Sequence, residues 1–210
     1  MKLVVARFAV LLIALAPPLA AQDSRLATRL DPKTYAAVIA IVDSARAAKL
    51  PTAALVDKAL EGAAKGSDGE KIVTAVRQLS ERLGAARRSL GSASTADEIK
   101  AAALALDAGV SPRDLARLRA AAGKRQVTLS LAVLTDLIGR EVPVATASNV
   151  VVSLARSGIR DSELTLFQRN VRQDIEHGAD PSTAASTRAR GLVLRASATS
   201  ASKPQGNAPH

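Results

Sequence analysis

The stretch "GVSPRDL", Gly109–Leu115, decides the fold. Gly109 can take the left-handed conformation that ends a helix, Ser111 is placed to cap the next one, and Pro112 falls at its first position, where a missing N–H costs nothing. Asp114 then stands near the positive end of the new helix. "GIRDSEL" from Gly158 repeats the plan in other letters. So do "RLDPKTY" from Arg29, "KLPTAAL" from Lys49, "GSDGEKI" from Gly66, "ASTADEI" from Ala93, "EVPVATA" from Glu141 and "GADPSTA" from Gly178. Each carries a stop, a short link, a cap or proline, and then polar residues ahead of the first apolar position. Thr95 and Glu98 have the spacing of a capping box.

Between these marks the chain from Asp31 to Leu192 is rich in alanine, leucine and arginine, the composition of helices. Ile72, Val76, Leu79, Leu83, Ala86 and Leu90 recur on one helical face, with Arg77, Glu81 and Arg88 opposite. The same reading assigns to the core Leu55 and Leu60, Leu104 and Leu106, Leu115 and Leu118, Val151 and Leu154, and Leu164, Phe167, Val171 and Ile175. "VTLSLAV" from Val127 alternates like a strand, but Leu131, Leu134 and Ile138 continue at helical spacing. A central helix, apolar on more than one side, is expected there.

The fold class is therefore all-α. Helix entries at 49 and 66, 93 and 109, and 141 and 158 pair by their short spacing, and the pairs start 44 and then 48 residues apart. About three tandem units of antiparallel helical hairpins are expected, the second lengthened by a helix beyond Gly123. That period lies in the range of HEAT-like and armadillo-like arrays, without any residue signature of those families. An irregular helical bundle is the other reading.

The ends carry a different kind of information. Lys2 and Arg7 precede an apolar run from Phe8 to Ala16, followed by Pro17, Pro18 and a small-residue site at Ala21. This is the layout of a secretory signal peptide, and the run is too short to span a membrane. The expected organisation is a signal peptide at 1–21, a lead-in at 22–30, one helical domain at 31–192 and a disordered tail at 193–210. The destination is the periplasm or the exterior, and without a cysteine the chain is neither a lipoprotein nor stapled by disulfides.

Charge points to a partner class. The chain carries +10, and a leader with two basic residues and no acidic one takes two from it, leaving +8. Arg82, Arg87 and Arg88 close one helix, and Arg113, Arg117, Lys124 and Arg125 gather on and after another. If those helices lay side by side, the seven residues would form a basic strip for anionic lipid, lipopolysaccharide or cell-wall polymer. Nucleic acid is disfavoured, since outside the leader only Tyr35 and Phe167 could stack on bases.

Catalytic chemistry has little to draw on. There are two histidines, His177 at a helix end and the terminal His210, and no cysteine, so no common nucleophile–base pair or zinc set can be assembled. No catalytic residue, cofactor or metal is expected. Asp174, Glu176 and Asp180 lack the spacing of a calcium loop. The expected function is a non-enzymatic, exported scaffold or adaptor for a protein or peptide of the bacterial envelope, with the anionic-surface binder as the alternative.

Overall fold

The computed structural model describes residues 25–201. A helical turn at 25–27 precedes α1 (Pro32–Ala47), α2 (Thr52–Ala64), α3 (Gly69–Leu90), α4 (Ala96–Asp107), α5 (Pro112–Ala122), α6 (Thr128–Gly139), α7 (Val144–Arg156), α8 (Asp161–Glu176) and α9 (Pro181–Ala201). No strand occurs among the described residues. The chain is all-α, its helices packed as a bundle. The 1–21 segment read as a signal peptide lies outside the described residues.

Packed residues also lie on both sides of the 31–192 span. Leu26, inside the supposed lead-in, is fully buried, and its carbonyl accepts the amides of Arg29 and Leu30. At the other end α9 continues past 192 to Ala201, well into the segment read as a disordered tail. Val193 and Ala196, three residues apart, still pack on the core, and the Ser197 hydroxyl donates to the Val193 carbonyl. Residues 202–210 lie outside the described part.

The links explain why the helices stop where they do. After α1, α2, α4, α6, α7 and α8 the chain makes the same turn, with Lys49, Gly66, Gly109, Glu141, Gly158 and Gly178 at φ between 55° and 93°. In each, the left-handed residue and its successor donate their amides back into the last turn, as Gly109 does to the Leu106 carbonyl and Val110 to that of Ala105. This is the Schellman arrangement, which satisfies carbonyls that a helix end leaves open. Val110, Val142 and Ile159, the residues after the left-handed position, are buried and sink their links into the core.

Entry caps complete the punctuation. The side chains of Asp31, Asp68, Thr95, Ser111 and Asp180 each accept an amide from the first turn of the following helix. Pro32 and Pro112 open α1 and α5, and at α8 the Glu163 carboxylate takes the Arg160 amide.

Packing follows alternation more than adjacency. α1, α3, α5, α7 and α9 contact one another in succession, and α4, α6 and α8 form a second row. α2 and α4 both lean on α3 without packing closely on each other. The tandem-hairpin arrangement is not confirmed, for of the three expected pairs only α2 and α3 pack extensively on each other. Across the Gly109 link α4 packs on α3 and α6 while α5 packs on α3 and α7; across the Gly158 link α7 packs on α5, α6 and α9 and α8 on α6 and α9. Short links bring helices together at their ends, but the fit of side-chain rows along their length chooses partners.

The core is aliphatic and rich in small residues. Ile72, Val76, Leu83, Ala86 and Leu90 of α3 are buried as its stripe requires, with Leu79 partly so. In α6 Leu131, Val133, Leu134 and Leu137 are buried, as a central helix demands. Leu104 does not join them: it is 62% exposed.

The turn geometry predicts a reciprocal pair of effects. A side chain in the left-handed region costs about 1 kcal/mol relative to glycine. Glu141→Gly should therefore raise stability by about that much and Gly109→Ala lower it by a similar amount, read from urea midpoints at unchanged slope.

Candidate functional site

Of the seven basic residues, four are held by partners within the fold. Arg82 reaches the end of α4, its Nη1 3.0 Å from Asp107 Oδ1. Arg87 donates to the Lys49 carbonyl at 3.1 Å, in the link between α1 and α2. Arg117 pairs with Asp114 at 2.8 Å and donates to Asn149 of α7 at 3.1 Å. Arg125 donates to the last carbonyls of α5, Ala121 and Ala122, and to Ala155 near the end of α7. Those four are spent on separate parts of the fold. Arg88, Arg113 and Lys124 are exposed.

The other polar candidates serve helix ends. Asp174 holds Arg188 of α9 through two hydrogen bonds of 2.6 and 2.7 Å. That guanidinium keeps the Asp174 carboxyl below its usual value. Glu176 lies 3.8 Å from Arg172, Asp180 caps α9, and His177 ends α8 in an exposed position. Among the described residues no group of three or more His, Asp or Glu side chains is placed to hold a metal ion, and no helix is long and apolar enough to cross a membrane.

One carboxylate is deeply buried. Glu98 is 2% exposed, and its partners come from three helices. Oε2 accepts the Thr95 amide at 2.9 Å, closing the capping box of α4. Oε1 accepts the Val127 amide at 2.9 Å, at the start of α6, and the Arg119 guanidinium at 3.3 Å, from the last turn of α5. Burial alone would push this carboxyl up, but the Thr95 and Val127 amides and the Arg119 charge together hold it below its ordinary value. It is ionised, fully bonded and committed to joining α4, α5 and α6.

Of several openings among the described residues, the one between α2 and α4 has the most apolar lining. A groove of about 310 Å³ runs there, floored by Leu79 and Leu83 of α3. Ala54 and Lys58, one turn apart on α2, form one wall, and Lys100, Ala103, Leu104 and Asp107 of α4 form the other at i, i+3, i+4 and i+7. Arg82 closes one side and is the single member of the expected strip to line it.

This site was missed in the sequence because Leu104 was assigned to the core. A signal was present. At 100° per residue Leu104 lies about 140° from Ile99 around α4, off the stripe of Ile99, Ala103 and Leu106. A large apolar residue so far from its helix's buried stripe is left facing solvent.

The Glu98 geometry predicts a specific acid sensitivity. A carboxyl lowered by folding stabilises the native state above its unfolded pKa, about 4.3, and that contribution is lost as pH falls through the lower, folded value. Glu98→Gln should cost about 1–3 kcal/mol at pH 7 and flatten the fall in stability between about pH 5 and pH 3, measured by urea unfolding across pH. No protein family, curated protein or solved structure matches this chain.

Proposed function

We propose that the protein is an exported, non-enzymatic helical scaffold that binds a protein or peptide partner through the groove between α2, α3 and α4. The observation that carries the reading is Leu104, a large aliphatic side chain 62% exposed that, unlike the exposed Leu166 and Leu194, lines a groove with the leucine floor of α3. Exposed apolar surface with a charged rim is the mark of an interaction site. The export part draws on Lys2, Arg7 and the apolar run that follows them. Six copies of one link and the alternate stacking of helices favour a repeat-like array as the support for this surface.

Leu104→Glu is the decisive substitution. Its side chain stands outside the packed interior, so the variant should keep wild-type helicity and melt within a few degrees of the parent. Full-length protein is used as bait in an extract of the envelope fraction and washed at low and then high salt. A discrete protein retained by the wild type at high salt and lost with Leu104→Glu is the expected result. Lipid or polymer released by salt from both proteins alike would transfer the function to the exposed cations, since screening weakens such contacts.

A further inference from the structure

We infer that the segment bound in this groove is an acidic amphipathic helix of another protein, its apolar stripe on Leu79, Leu83 and Leu104 and its carboxylates on Lys58, Arg82 and Lys100. The inference rests on the scaffold reading and adds the chemistry of the occupant.

The placement of charge argues for it. Lys58 stands on the α2 wall, while Lys100 and Arg82 stand on the α4 side, so cations flank the apolar floor on both sides. Against them the lining offers a single carboxylate, Asp107, already held by Arg82 at 3.0 Å. A helix laid into a groove presents an apolar row with one polar flank on either side. Glutamate or aspartate on both flanks meets cations here, and lysine on both flanks meets like charge.

The cations can be redirected at little cost. Lys58 is tied to Glu61 at 3.0 Å and Lys100 to Asp97 at 2.7 Å, both pairs exposed and local to one helix. Such pairs contribute little to stability. Glu61 also holds Lys65, so a partner carboxylate that takes Lys58 does not leave Glu61 alone. Inside a docked, water-poor contact the same lysines gain in strength.

The arrangement of helices supplies room of the right form. In the row that contains α4, α6 and α8 the neighbours pack directly, whereas α2 and α4 stand apart over α3. The side chains a further helix would need on its three neighbours are those that line the groove: alanine on both walls, leucine on the floor, long cations at the rim.

The test uses two synthetic peptides of about four helical turns, with leucine at i, i+3, i+4 and i+7 and either glutamate or lysine on both flanks. Binding to the full chain is read by fluorescence anisotropy at near-physiological salt. The glutamate peptide should bind at least tenfold more tightly than the lysine peptide. Lys58→Glu with Lys100→Glu should reverse that preference, and Leu104→Glu should weaken the glutamate peptide at least tenfold. Arg113→Glu with Lys124→Glu changes net charge equally but lies outside the groove, and should leave the ratio within about twofold.

Equal affinity for the two peptides, or equal loss from both charge-reversed pairs, would overturn the inference. A concentration-dependent dimer that Leu104→Glu dissolves would overturn it too, by making a second copy the occupant. If neither peptide binds while the envelope protein retained at high salt is lost with Leu104→Glu, the scaffold stands and the acidic helix falls. If that retention is also insensitive to Leu104→Glu, the groove itself is not the site.

Discussion

A helix end must find partners for its last carbonyls, and this chain meets that constraint in nearly one way. The left-handed residue turns the backbone so that two amides point back into the final turn, and at three of the six links the next residue enters the core. That second step matters most, because Val110, Val142 and Ile159 convert a local turn into a tertiary anchor. The length and direction of each helix are thereby set before any long-range contact is considered. Glycine supplies the turn where it costs least, and Lys49 and Glu141 show that the anchor tolerates some strain.

Glu98 performs the complementary task of joining elements distant in sequence. A capping box ordinarily closes on itself. Here the glutamate keeps its local bond to Thr95 and lends its other oxygen to Val127, 29 residues away, and to Arg119 between them. A buried charge is tolerable only when so fully engaged. Glu98, buried and ionised, is thus a structural joint.

What could be read from the sequence was whatever the chain settles within about one helical turn. The caps at Thr95 and Ser111, proline at 112, the turn at Gly109 and the stripe of α3 all depend on residues a few positions apart. Partner choice depends on the fit of whole helical faces, and short links suggested hairpins, while the extensive contacts of α4, α5, α7 and α8 are with other helices. The arginines were harder still, since a long flexible side chain can reach several destinations from one position. Arg125, placed in a surface strip by its neighbours in sequence, is exposed and also spans the ends of two helices. Leu104 was misassigned because composition, and not angle around α4, decided its side.

The joint at Glu98 also has a consequence in time. Opening the end of α5, the start of α6 or the first turn of α4 breaks bonds to the same carboxylate, so none of the three frays independently. Helix ends are normally the first places where amide hydrogens exchange with solvent. The Val127 amide, at the very start of a helix, should exchange only when the middle of the molecule opens as one unit, which makes that helix start among the slowest points of the chain and not among the fastest.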